Sequence, residues 1–256
     1  MKFVYPLKGT SRNEWLELRY SLRTVARYAP GSEPVIITDR PPRWYAGDIL
    51  RIGDDGSHKR AITTHKLDRY ARRPDAPAQW MLMCDDFFLH RTERWWEVPL
   101  YHGPCLRIEA ARFRQTAHKS DKISRIFDHT ADLCEAVGVE TLSFERHLPL
   151  RIVTEIWTQA HGIEHYNDPP GIQPQSIYGN HAAAVGVPIQ EIADLKFWTR
   201  QYDDEDRRWK GHASIESVPA DRTAWSVEDR VGRLKSFRVA MEALFPEPSP
   251  WEKRGK

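Results

Sequence analysis

Short apolar runs alternate with amphipathic stretches along the first part of the chain, and each run ends on a residue that stops a strand. Phe3 to Tyr5 reads as a strand closed by Pro6, and the polar Gly9-Thr-Ser-Arg-Asn13 loop has the turn chemistry that starts a helix near Asn13. Trp15, Leu18, Leu22 and Val25 then recur at three- and four-residue spacing, which predicts a helix with one apolar face and Glu17, Arg19 and Arg23 on other faces. Ala29-Pro30-Gly31 ends it. Pro34 to Thr38 predicts a second buried strand with Asp39 at its tip, broken by Asp39-Arg-Pro-Pro42, and Ile49 to Ile52 an edge strand. Ala61 to Arg72 predicts a helix with Lys66 and Arg69 toward solvent.

The next apolar run, Gln79 to Leu89, is too short for a membrane span and is interrupted by Asp85 and Asp86. Strand, helix, strand, helix and strand in this order imply right-handed parallel crossovers, hence a layered α/β fold with its site at the strand tips. Farther along, Leu106 to Arg114 and Ser120 to Val137 predict helices. Asn167-Asp-Pro-Pro-Gly171 predicts a loop, Val187 to Trp198 is ambiguous, and Arg207 to Thr223 is a polar stretch with loop composition.

Composition narrows the function. With 256 residues, 40% of them hydrophobic, the chain can bury one substantial core. By length it is one domain, or a domain with an appendage. Thirty-eight basic against 36 acidic residues, a net charge of +2, give no bulk electrostatic case for nucleic-acid binding. Nucleic-acid contact would need a local basic surface such as Arg69, Arg72 and Arg73. Cys84, Cys105 and Cys134 have no CxxC spacing, which argues against a structural zinc site, a disulfide framework and thiol catalysis. With no apolar leader and no membrane-length run, the expected location is the cytoplasm.

The acid pair carries the clearest chemistry. At the carboxyl end of a buried strand, adjacent carboxylates suit Mg²⁺ or Mn²⁺ when diphosphate oxygens complete the shell; the plain alternative is an acidic turn. His147, beside Leu148 and Pro149, offers an imidazole that can take a proton near neutral pH, complete a metal shell when neutral, or serve a structural role. Glu17 and Arg19 read by spacing as an exposed helical ion pair, and Asp39 as a turn cap. Lys66 can offset phosphate charge or be a solvated helical lysine. Asn180, with His181 beside it, can line a pocket or form a turn. Of the ten tryptophans, the pair Trp95-Trp96 invites a sugar-stacking role against a packing one.

Three segments, Glu17-Leu-Arg-Tyr-Ser-Leu-Arg23, Val35-Ile-Ile-Thr-Asp-Arg-Pro-Pro42 and Met83-Cys-Asp-Asp-Phe-Phe-Leu89, together resemble the Stealth family of sugar-phosphate transferases and related glycosyltransferase-like proteins, some found in phages. Weaker similarity extends through Arg146-His-Leu-Pro149, Ser176-Ile-Tyr-Gly-Asn180 and Leu244-Phe-Pro-Glu-Pro-Ser249. Cys84 stands where the family often has Asn, and the region before the first helix is short.

The resemblance implies a GT-A-like fold, with a mixed, mostly parallel central sheet and flanking helices. It implies a nucleotide-sugar donor, with a UDP-sugar first among candidates, and Mn²⁺ or Mg²⁺ held by Asp86 and Asp85. It places Glu17, Arg19 and His147 at the site, with Glu17 and His147 at the chemistry and Arg19 at the donor, where Asp39, Lys66, Asp85 and Asn180 are the further expected contacts; it implies one catalytic domain over 1–256, with a donor-binding half over 1–105 and a helical, acceptor-side half over 106–256. The implied reaction is glycosyl transfer to an unknown hydroxyl acceptor on a glycan, a protein or a modified nucleic-acid base. Sugar-1-phosphate transfer and noncatalytic nucleotide or glycan binding are the alternatives.

Overall fold

The computed structural model describes residues 1–9, 15–55, 59–115, 120–144, 147–160, 170–192, 202–203, 208–209, 223–227 and 235–253. Outside them lie Thr10 to Asn13, His58, His118, Arg146, residues 167–169 and 193–198, and most of the polar Arg207–Thr223 stretch.

In chain order the elements are β1 (Lys2–Pro6), α1 (Leu16–Tyr28), β2 (Glu33–Ile37), β3 (Asp48–Leu50), α2 (Lys59–Ala71), β4 (Gln79–Leu82), β5 (Phe87–Leu89) and β6 (Leu100–His102). There follow α3 (Leu106–Gln115), α4 (Ser120–Ala136), β7 (Leu150–Val153), α5 (Thr154–Ala160), α6 (Pro174–Ala184) and β8 (Ile189–Glu191). Short pieces β9 (Tyr202–Asp203), β10 (Arg208–Trp209) and β11 (Ala224–Ser226) precede α7 (Lys235–Leu244).

The fold is layered α/β. Five strands form the central sheet in the order β3-β2-β1-β4-β7; β4 and β7 are antiparallel and the other neighbours parallel. Residues Phe3, Val4 and Tyr5 are fully buried because the sheet is covered on both faces, and they alternate between two cores. On one face Phe3, Tyr5, Ile36 and Met81 pack with Leu18, Leu22 and Val25 of α1. On the other, Val4, Val35, Ile37 and Leu82 pack with Leu67 and Tyr70 of α2 and with Trp157 and Tyr178 of α5 and α6. The chain winds outward from β1 through β2 to β3, then crosses to the other side of β1 for β4. The strand order therefore reverses between β1 and β4. At such a switch point the connections diverge to opposite faces and leave a crevice at the carboxyl ends of the strands.

Two sequence expectations change here. The run from Gln79 to Leu89 is two strands, since β5 leaves the central sheet after the acid pair and pairs antiparallel with β11. The Gly179-Asn180 turn signal lies inside α6; a Cβ at Gly179 would fall 2.2 Å from the Phe144 ring, so glycine is what lets that ring lie on the helix. A third core, in which Phe88 stacks on Trp225 at 4.4 Å, joins β5 and β11 to Phe237 and Met241 of α7.

Candidate active site at the strand tips

Met83 extends the pairing of β4 with β1 by donating its N–H to the Val4 carbonyl at 2.9 Å. The chain then turns: Phe87 N–H donates to the Cys84 carbonyl at 3.2 Å, which places Asp85 and Asp86 at the two central positions of a tight turn. Both are half-buried. The turn stands at the switch point, on the β4 side of the crevice.

Helix α1 holds this turn by side-chain hydroxyls. Ser21 donates to the Phe87 carbonyl at 2.5 Å, so its single proton is committed and Tyr5 must donate to Ser21 Oγ, 3.0 Å away. One turn on, Thr24 donates to the Ser21 carbonyl and accepts from Leu89 N–H at 3.0 Å. Burial drives the Tyr5 phenol above its ordinary range, keeping it a neutral donor. Ser21 lies level with Phe87 and Thr24 with Leu89, so α1 and β5 run in the same direction. Glu17, four residues before Ser21 on the same stripe, is thereby set level with the acid turn; it is buried.

His147 reaches the same edge from the other strand. In the antiparallel β4–β7 pair Leu82 faces Leu150, so the approach to β7 runs beside the exit of β4 that carries Asp85. His147 adopts φ 54°, a left-handed conformation uncommon for a residue with a Cβ, while Leu148 is buried in the core. Sequence reasoning did not read β7, although Leu150-Arg-Ile-Val153 alternates buried and half-buried positions.

Lys66 departs from its expected solvent position. It is fully buried, and its ammonium donates to the Leu7 carbonyl just beyond β1 and to Asp54 Oδ1, each at 2.5 Å. The pair ties the segment after β3 to the tip of β1, on the crevice's other side. Asp39, at the tip of β2, is exposed, with Arg40 Nε 3.8 Å from its carboxylate.

Two residues lie apart from this group. Arg19 stacks over Trp44 at 4.7 Å and approaches Glu252 at 3.5 Å, joining Arg23, whose guanidinium bonds both Glu252 oxygens at 2.9 and 3.1 Å. Burial opposes the Arg23 charge, but Glu252 outweighs it and raises the pKa. Asn180 is fully buried in α6; its amide donates to the Leu142 and Ser176 carbonyls and accepts from Leu142 N–H, each at 2.9 Å. That arrangement clamps the segment before β7. Beside it, burial pushes the Cys134 thiol up to about 11 and holds His181 below its ordinary range.

Sequence reasoning missed Tyr5, Ser21 and Asp54, whose roles depend on distant partners, and Ser226. The Ser226 backbone pairs with Phe87, its hydroxyl is buried with no hydrogen-bond partner among the described residues, and the next residue, Val227, donates its N–H to the Asp86 carbonyl at 3.3 Å. Among the described residues no three His, Cys, Asp or Glu side chains form a group able to hold a metal ion. Two neighbouring carboxylates at a crevice fit a different arrangement, in which ligand phosphate and water complete the shell of a hard cation. The proposed basic surface is largely neutralised: Arg72 is paired with Asp68 at 2.8 Å and Arg73 with Asp75 at 2.6 Å. No helix among the described residues is long and apolar enough to cross a membrane.

No family model matches the chain, and no curated protein matches it. Among solved structures it is similar to the galactosyltransferase LgtC in complex with donor and acceptor sugar analogues, with 12% identity and a TM-score of 0.47 over 98% of this chain and 99% of that one. An active-site mutant of LgtC is similar over 89% of this chain and 87% of that one, with 15% identity and a TM-score of 0.40.

Proposed function

We propose that the protein is a metal-dependent glycosyltransferase that moves a sugar from a nucleotide-sugar, with a UDP-sugar as first candidate, to a hydroxyl acceptor. The carrying observation is the position of Asp85 and Asp86: a paired-carboxylate turn at the topological switch point, where layered α/β folds bind their ligands. The family resemblance of the same segment supports this reading. Mn²⁺ or Mg²⁺, when bound, would supply charge neutralisation at the departing diphosphate.

Asp86 is the principal ligand for that cation, and Asp85 binds it through water or holds the ribose. Asp39, across the crevice, meets the ribose or base. Lys66, buried and held by Asp54 and the Leu7 carbonyl, acts on the donor indirectly, by fixing the β1 tip. His147 takes the proton from the attacking acceptor hydroxyl, and Glu17 is the alternative base. Arg19 and Asn180 act on the donor site indirectly, through the Glu252 and Leu142 contacts. Residues 1–105 form the donor half and 106–256 the acceptor side.

Calorimetry with UDP-sugars and Mn²⁺ tests the reading. Wild type should bind only with the cation, and Asp86→Ala should bind at least about tenfold more weakly, more than Asp85→Asn does. Unchanged metal-dependent affinity in Asp86→Ala overturns the assignment. Release of nucleoside diphosphate supports glycosyl transfer; release of monophosphate would establish sugar-1-phosphate transfer, and binding without turnover a noncatalytic protein.

A further inference from the structure

The tryptophan pair Trp95-Trp96 is divided by folding. Trp95 is buried edge-on against Phe3, with ring centroids 5.9 Å apart, whereas Trp96 remains 55% exposed. An indole left open is informative when a cavity lies beneath it. Trp96 lines a wide-mouthed surface cavity of about 410 Å³ with Lys2, Glu33, Pro77 and Gln79. Lys2, Glu33 and Gln79 are the first residues of β1, β2 and β4, so this cavity lies at the amino edge of the sheet, opposite the acid pair. The length of β1, roughly 15 Å, separates the two edges.

The cavity is built on held backbone. Lys2 and Glu33 are in direct parallel register. Thr154 donates its hydroxyl to the Pro77 carbonyl and its N–H to the Ala78 carbonyl, at 2.5 and 3.0 Å. Arg151 donates to the Trp96 carbonyl at 2.8 Å, and the indole N–H donates to Glu97 at 3.2 Å, which anchors the platform at both ends. The Lys2 ammonium is paired with Glu33 and lies 3.3 Å from Asp48. Two carboxylates for one ammonium disfavour a phosphate or other anion, while Lys2, Glu33 and Gln79 offer donors and acceptors to a neutral polar ligand.

We propose that this cavity is a carbohydrate subsite, binding a pyranose residue of a neutral glycan with its C–H face against Trp96 and its hydroxyls against Lys2, Glu33 and Gln79. A pyranose presents one apolar face and a polar rim, which matches an indole beside a mixed donor and acceptor wall. The subsite goes beyond the proposed transfer reaction and uses neither the acid pair nor a cation.

Saturation-transfer NMR tests it with the methyl glycosides of glucose, galactose and N-acetylglucosamine as probes, without nucleotide or metal. At least one glycoside should receive saturation from the protein. Its apparent affinity should fall about tenfold or more in Trp96→Ala, fall in Gln79→Ala and survive in Trp96→Phe. The exposed position of Trp96 lets circular dichroism verify that the variants remain folded. Absence of transfer to every glycoside, or equal transfer in folded Trp96→Ala, overturns the proposal. Because no nucleotide is present, either result is independent of donor binding at Asp85 and Asp86.

Discussion

The Ser21 hydroxyl donates to the Phe87 carbonyl while accepting from Tyr5, so one buried oxygen joins β1, α1 and the strand that leaves the acid pair. Two of the three family-like segments therefore meet through hydrogen bonds at the edge where Asp85 and Asp86 emerge. Removing that hydroxyl leaves a phenol and a carbonyl unsatisfied in a site closed to water. Ser21→Ala should cost about 1–3 kcal/mol of stability and weaken metal-dependent donor binding. Urea unfolding with calorimetry checks both; wild-type stability would show that the linkage contributes nothing.

His147 combines a reactive side chain with an unfavourable backbone. Replacement by Ala or by Gly removes the imidazole alike, and turnover should fall roughly a hundredfold in either variant. At φ 54° glycine is the better tolerated residue, so His147→Gly should be more stable than His147→Ala by about 1 kcal/mol. Near-normal turnover would remove His147 from the chemistry, and equal stabilities would remove the backbone argument.

The Lys66–Asp54 pair is unequal. Lys66 is fully buried, whereas the Asp54 side chain is 27% exposed and can turn to water when its partner is lost. Asp54→Asn should therefore cost more, about 3 kcal/mol, than Lys66→Met, about 1 kcal/mol. Thermal unfolding at neutral pH orders the two, and the reverse order would place the buried charge elsewhere.

Tyr178 bridges β7, accepting from Val153 N–H and donating to the Arg151 carbonyl, and burial pushes its phenol up from 10.0 to about 12. The unfolded phenol loses its proton near pH 10 while the folded one keeps it, so this contribution is complete below pH 10 and is lost between 10 and about 12. Its size is roughly 2–3 kcal/mol. Tyr178→Phe should be less stable at neutral pH by about 1–2 kcal/mol and show a shallower alkaline decline in denaturation followed by circular dichroism. An unchanged alkaline slope contradicts the assignment.

Local pattern alone located β1, α1, β2, β3, α2, α3 and α4, because period-two and three-to-four-residue spacings record which face of an element is buried. It also put Asp85 and Asp86 at a strand exit, since an apolar run broken by charge marks where burial ends. Pattern does not record which partner covers a face or satisfies a charge. Lys66 looked like a solvated helical residue; only the fold supplies Leu7 and Asp54, which let an ammonium be buried there. Asn180 carried a turn signal, yet the Phe144 ring against Gly179 and the Leu142 backbone keep it inside a helix. His147 meets the acid edge because β7 runs antiparallel to β4, a pairing set by contacts some seventy residues apart in the chain. Residue type and spacing thus determined which groups have chemistry to offer, while long-range packing decided which of them share one edge of the sheet.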